Sequence, residues 1–458
     1  MPKLLLIHPT TRSCAVVGFG QTASWGLPPL ALAYVAASTP AHWEVKIVDE
    51  YTERTDPREA CDLVGITSYS CTATRAYDLA AMFRQRGIPV VLGGIHASMV
   101  PDEAAQYVDA VVLGEAESVW PQVIRDVESG RLQKRYNGGR PSLEHMPIPR
   151  RDLFGPRYEM DVIQTSRGCP FACEFCSVTA FNGAEFRQRP IGEVLDELQT
   201  IRKKVVYFID DNFFGVTREH EQRALELCRG MLERKIHKIW VTQASVNIAD
   251  NPEVLKCAAR SGCRGLYFGI ESVSAESLKE MRKGVNVRVG VEGLRRAVQR
   301  VHECGICVIS AFIFGNDHDD LGVFQESLEF IKQAGIDVPQ FGILTPYPGT
   351  RIFERLRREQ RIIYDHYPDD WEKCDTDHLV FKLKNMDPLD LVRGFDYLAR
   401  HRFSKKTIWL QTLKTWRRTG SPIAALMAYN MNKDSGLFYD FDGKFSAVPP
   451  SGRAESWK

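Results

Sequence analysis

The chain has 458 residues, with 59 Lys and Arg against 58 Asp and Glu, for a formal net charge of +1. A balance this close to zero gives no overall electrostatic case for a nucleic acid or an anionic membrane as partner. Twelve cysteines are too sparse for a disulfide-dense secreted scaffold, and no run approaches the roughly 20 apolar residues of a membrane span.

The opening run Met1-Pro-Lys-Leu-Leu-Leu-Ile-His-Pro is too short for a signal core and has no small-residue cleavage site, so it reads as a first strand. A protein of the reducing cytoplasm is expected, long enough for two or three domains. Through residue 125, short apolar runs at 3–7, 45–48, 63–67, 90–92 and 110–113 alternate with helical patterns, the mark of a parallel sheet covered by helices. Each run ends in a polar or glycine-bearing turn, and in a doubly wound sheet ligands sit at these carboxyl ends. Thr67, Ser68, Ser70, Gly93 and Gly94 are the candidate cofactor contacts there, small enough to let a ligand approach the backbone. His8 and His96 read as loop histidines. Residues 126–155 read as a linker, ending in the proline-rich Met146-Pro-Ile-Pro.

A second alternating pattern fills 156–350, with strands expected at 160–165, 205–209, 240–244, 265–269, 308–314 and 339–344. Directly after the first of these comes Ser166-Arg-Gly-Cys-Pro-Phe-Ala-Cys-Glu-Phe-Cys. Cys169, Cys173 and Cys176 can wrap one face of a four-iron cluster, which has four corners, so one iron stays open for a small-molecule ligand. A zinc site would need a fourth Cys or His at matching spacing. Cys304 and Cys307 supply a CxxC, but beside an apolar strand they read as core, as do Cys257 and Cys263. Further along, Asp317-His318-Asp319 follows the fifth strand as a candidate proton relay, and Tyr347 after the sixth as a wall of the substrate site. Residues 351–458 read as a helical domain and tail. A basic amphipathic helix is expected over 351–361, another helix opens at Asp387-Pro388, and Lys405 to Arg418 form a basic stretch interleaved with Trp409 and Trp416, read as a solvated face. A loose tail is expected from Asp442.

The CxxxCxxC spacing with Phe175 before the last cysteine resembles the signature loop of the radical S-adenosylmethionine (SAM) superfamily. That resemblance implies a 4Fe–4S cluster whose open iron chelates SAM, and an electron that cleaves it to a 5′-deoxyadenosyl radical. It also implies a partial (β/α)6 barrel with chemistry at the strands' C-terminal ends. Phe175, Asp210, Asp211, Gln243, Ser245 and Glu271 match positions that hold SAM; Glu271 would accept from ribose hydroxyls and Arg282 would pair the SAM carboxylate.

The strand-end turns of residues 1–125, with Trp25-Gly-Leu-Pro-Pro-Leu after the first strand, resemble the Rossmann-like cobalamin-binding domain of one large radical SAM class that includes the hopanoid methylases. The Asp-x-His-x-x-Gly of methionine-synthase-type domains is missing, so any bound cobalamin should lack a protein imidazole on its lower face. Membership of this class implies methylation of an unactivated carbon of a small natural-product-type substrate, with an external electron donor such as flavodoxin or ferredoxin. Two alternatives stay open: radical dehydration of a sugar or aminoglycoside diol, which the acidic loop at 317–320 would suit, and an iron–sulfur electron-transfer module.

Overall fold

The computed structural model describes residues 1–12 and 26–438. Trp25 and the tail expected from Asp442 lie outside the described residues. Two six-stranded sheets organise the chain, each entirely parallel.

In the first sheet, β1 (Lys3–His8), β2 (Glu44–Asp49), β3 (Leu63–Thr67), β4 (Val90–Gly93), β5 (Ala110–Gly114) and β6 (Arg135–Gly139) take the order β2-β1-β3-β4-β5-β6. Strand runs such as Leu4-Leu5-Leu6-Ile7 are buried throughout because both faces are covered. Leu5, Ile7, Val64 and Ile66 pack on one side with α2 (Ala73–Arg84), whereas Leu4, Leu6 and Leu63 pack on the other with α1 (Leu30–Ala37) and α5 (Trp120–Glu128). The order reverses between β1 and β3, and a doubly wound sheet opens its ligand crevice at such a point. Thr67 and Ser68 end β3 at that crevice, and α3 (Ile95–Met99) begins just after Gly93 and Gly94 at the next strand end.

β6 corrects the expected linker at 126–155. Its sequence, Arg-Tyr-Asn-Gly-Gly, buries only Tyr136 and pairs only with β5. An edge strand this polar has no alternation to announce it.

The second sheet runs β14-β13-β12-β11-β10-β7: β7 (Asp161–Ile163), β10 (Val205–Phe208), β11 (Ile239–Ala244), β12 (Cys263–Glu271), β13 (Cys307–Phe314) and β14 (Val338–Ile343). Neighbours in the sheet follow one another in sequence, as in a partial barrel. One face, with Phe208, Trp240, Phe268 and Phe312, is buried against the outer helices. On the other face Tyr207, Gln243, Tyr267 and Gln340 are half-buried, so the concave side is only partly filled. Its two flanks are covered differently. Tyr34 of α1 packs with Val162 and Tyr207, while Ala424, Met427 and Ala428 of α16 (Pro422–Phe438) pack on Cys307, Ile309 and Val338. Cys307 is thus core, and Cys257 and Cys263 are buried as well. Every described cysteine is a free thiol.

The two sheets are joined by buried ion pairs. Arg167 meets Glu115 at 2.5 Å and Glu117 at 2.6 Å, Arg187 also pairs with Glu115, and the Arg189 guanidinium lies 3.2 Å from the Tyr34 hydroxyl.

Candidate cluster and cofactor site

The three cysteines lie on an excursion between β8 (Ser166–Arg167) and β9 (Arg187–Gln188), a two-residue antiparallel ladder that clamps its base. Gly168 has φ +93°, and a Cβ there would lie 2.0 Å from the Glu185 carbonyl oxygen, so only glycine lets the chain leave the ladder at this angle. The loop is then tied down at several points. The Gly168 N–H and the Asn182 amide donate to Asp211 at 2.8 and 2.9 Å, and the Thr179 hydroxyl donates to the Phe171 carbonyl at 2.9 Å. Glu174 donates its N–H to the Met281 carbonyl at 3.0 Å and accepts from Arg355 of α13 (Arg351–Arg358) at 2.8 Å.

Cys169, Cys173 and Cys176 are half-buried, and burial pushes the Cys169 thiol up to about 11 and raises the other two. Thiols desolvated in this way are inert unless a metal takes the proton's place. Among the described residues no three His, Cys, Asp or Glu side chains gather closely enough to hold a single metal ion. Three thiols on one loop fit thiolates that each hold a different corner of a cluster.

Asp210 and Asp211, expected on SAM, instead support the loop. Asp210 is fully buried and accepts from the Thr165 N–H and hydroxyl, both at 3.0 Å, and from the Ser166 hydroxyl at 2.5 Å; burial raises its pKa to about 6. Burial raises Asp211 also, against the hydrogen bonds from Gly168 and Asn182.

Glu271 ends β12 with φ +66°, at a register break after Gly269 that the Asn286 amide pins by donating to the Gly269 and Ile270 carbonyls, both at 2.9 Å. The bulge turns the carboxylate onto Lys283 at 2.8 Å. Burial alone would depress the Lys283 ammonium, but Glu271 and Cys173 raise its pKa. The same ammonium lies 6.0 Å above the Phe175 ring, a cation–π contact. Arg282, expected at this place, is exposed and left-handed, with φ +54°. It closes α10 (Ala275–Glu280) in a Schellman motif, with Lys283 N–H donating to Leu278 at 2.9 Å, and that reversal brings the next side chain inward. Sequence reading therefore stopped one residue short of the buried cation. Gln243 is half-buried on the concave face and bonds the Tyr207 hydroxyl, and Ser245 follows β11 with its Oγ accepting from Asn212 at 3.1 Å. Tyr207, Tyr267 and Gln340, which line the same concavity, carry no motif; only the strand alternation marks them.

The proton relay at 317–319 is corrected by its partners. Burial works against the Asp317 carboxylate, but Arg361 at 2.6 Å, Lys384 at 2.7 Å and Arg355 at 2.9 Å hold its pKa far below the usual range. A carboxylate facing three cations does not take up protons near neutrality. Asp319 is buried and accepts from the Gly315 and Asn316 N–H groups, both at 3.0 Å, and His318 is exposed. Tyr347 is half-buried against the core of the first sheet, and burial raises its hydroxyl pKa.

At the strand ends of the first sheet, the Ser68 N–H donates to the Gly93 carbonyl and the His96 N–H to the Ser68 carbonyl, both at 3.2 Å. Gly94 has φ +92°, and a Cβ would fall 2.6 Å from Thr67 Oγ1, so these turns close only around glycine. The buried Ser68 Oγ has no partner, and Tyr69 beside it leaves 58% of its surface open. An orphan hydroxyl next to an open aromatic face suits a large, partly polar ring system. The domain's three histidines are already engaged: His8 with Asp49 at 3.0 Å, His42 with Glu128 at 2.6 Å, and buried His96 with the Tyr77 hydroxyl at 3.1 Å and Ser70 at 3.3 Å. Met99 of α3 lies where a Cβ on Gly349, after β14, would fall, so these turns meet the mouth of the partial barrel.

Comparison with known proteins fits this geometry. The sequence model of the radical SAM superfamily matches residues 163–331, and that of the B12 binding domain matches residues 20–124. The bacteriochlorophyllide d C-12(1)-methyltransferase of Chlorobaculum tepidum is 32% identical over 421 residues, covering 89% of this chain and 88% of that protein. The hopanoid C-2 methylase of Rhodopseudomonas palustris is 28% identical, covering 83% of this chain and 75% of its own. Among solved structures, the cobalamin-dependent SAM radical enzyme OxsB, with aqua-cobalamin and SAM bound, aligns with a TM-score of 0.69 at 16% identity, over 96% of this chain and 72% of its own. The chain belongs to the radical SAM superfamily, in the class with an N-terminal B12-binding domain, and its cofactors are a 4Fe–4S cluster, SAM and cobalamin.

Proposed function

We propose that this enzyme methylates an unactivated carbon of a small natural-product-type substrate. The observation that carries the reading is the half-open concave face of the second sheet, lined by Tyr207, Gln243, Tyr267 and Gln340, at whose mouth the cysteine loop and the strand-end turns of the B12-binding domain meet. When bound, the cluster and SAM supply the radical that removes hydrogen, and cobalamin carries the methyl group.

The chain's own residues position these groups. Cys169, Cys173 and Cys176 hold the cluster, and Phe175 packs beneath Lys283. Glu271 would accept from the SAM ribose, with Lys283 neutralising its charge, and Ser245 and Gln243 border the same space. Thr67, Ser68, Ser70, Gly93 and Gly94 form the cobalamin crevice. With Asp317 neutralised by Arg355, Arg361 and Lys384, the acidic loop no longer speaks for a polycationic substrate. The free thiols suit a reducing cytoplasm, and a flavodoxin or ferredoxin is the fitting electron donor.

The test is product analysis after anaerobic reconstitution, starting from the substrates of its relatives, a bacteriochlorophyllide and a hopanoid. Methylation yields both 5′-deoxyadenosine and S-adenosylhomocysteine. Formation of 5′-deoxyadenosine alone, with a dehydrated product, would overturn the reading.

A further inference from the structure

Helix α15 (Lys405–Thr419) is inverted in polarity. It buries Ile408, Thr415 and Thr419 and turns Trp409, Leu410, Leu413 and Trp416 to the outside, the two tryptophans 60% and 53% exposed. Trp409, Leu413 and Trp416 recur at i, i+4 and i+7, one stripe down the outer face. After the left-handed Gly420, α16 returns alongside, with the Trp409 and Tyr429 rings 6.3 Å apart. Antiparallel pairing in that register sets Leu413 beside Leu426 and Trp416 beside Ile423, both of which are exposed. The hairpin thus presents one continuous apolar patch. Scattered surface leucines need no explanation, but two tryptophans in a contiguous stripe above a threonine-bearing buried face do.

The charge carried by the hairpin is strongly lopsided. From Lys405 to Phe438 there are six Lys and Arg against a single acidic residue, Asp434, in a chain whose net charge is only +1. Lys405, Lys406, Lys414 and Arg417 are exposed on α15. We propose that the α15–α16 hairpin docks on the surface of an anionic lipid bilayer, with the tryptophans at headgroup depth and the lysines and arginines against lipid phosphates. Trp and Leu on one stripe flanked by basic residues is the composition of an interfacial helix. Among the described residues no helix is long and apolar enough to cross a membrane, so the contact is peripheral. A second copy of the chain is a poor occupant, since a two-fold contact would set the same cations against each other. Trp409 and Trp416 offer faces on which bases also stack, but Leu410, Leu413, Ile423 and Leu426 make most of the exposed patch aliphatic, which favours lipid over a nucleic acid.

The test is flotation of the full-length holoenzyme with vesicles of phosphatidylcholine alone and of phosphatidylcholine mixed with phosphatidylglycerol. Partition into the mixed vesicles should be stronger by about tenfold or more, and should weaken as salt is raised. The W409S/W416S variant, altered only at exposed positions, should lose about tenfold in partition while keeping its iron content. The K406E/R417E variant should lose the preference for phosphatidylglycerol. Absence of partition, equal partition into both vesicles, or partition untouched by either variant overturns the proposal. So does a dimer in light scattering that W409S/W416S dissolves, or an oligonucleotide bound by this face in place of vesicles.

Discussion

Replacing Gly269 by alanine should disable the SAM site without replacing any residue proposed to contact SAM. The added Cβ would fall 2.2 Å from Glu271 Oε1 and 2.7 Å from Lys283 Nζ. A tolerable contact begins near 3.2 Å, so Oε1 must retreat by roughly 1 Å and Nζ by about half that, which displaces both partners of the 2.8 Å bond from their present place. A charge-assisted hydrogen bond between largely buried partners is worth about 1.5–3 kcal/mol. If Glu271 holds the ribose, SAM affinity should fall by about 10- to 100-fold, each factor of ten being about 1.4 kcal/mol. The assay is SAM binding by anaerobic equilibrium dialysis, with iron content and thermal melting measured in parallel. Iron should stay at the wild-type level. A lowered melting temperature with unchanged SAM affinity would make the Glu271–Lys283 pair purely structural and refute the assignment.

Each of Cys169→Ala, Cys173→Ala and Cys176→Ala should abolish reductive SAM cleavage; a triple variant with full iron content and visible absorption would sink the cluster assignment. Reconstitution with cobalamin and paramagnetic resonance of the reduced form should show no nitrogen hyperfine pattern from a histidine, because His8, His42 and His96 already have partners. Burial first, and then Asp375, push the Asp377 carboxyl up to about 7. The folded state therefore binds the proton more tightly than the unfolded chain, and stability should decline as pH rises from about 4 to 7 and level off above. Asp377→Asn should flatten that slope in urea melts; an unchanged slope would assign it to other groups.

Strands and the cysteine loop were legible because apolar runs and thiol spacing are local properties of the chain. The continuous apolar run of Leu4 to Ile7 needs no knowledge of what covers it. Partners distant in sequence were not legible. Asp317 looks like a free carboxylate until Arg361 and Lys384 are brought beside it, and Lys283 is indistinguishable from Arg282 until the left-handed turn decides which points inward. β6 escaped because an edge strand needs backbone partners more than apolar side chains. The α15 stripe was read as a solvated face; which side of that helix is covered depends on what the rest of the chain leaves open.

The bond between Glu174 and Arg355 spans 181 residues, from the middle of the cysteine loop to a helix well beyond the last barrel strand. During synthesis the three thiols emerge long before this anchor exists. Until α13 docks, the loop has its ladder and Asp211 but not the clamp on its far side. The thiols are thus gathered by contacts local to the loop, and only the fixing of its far side waits on chain made after the barrel.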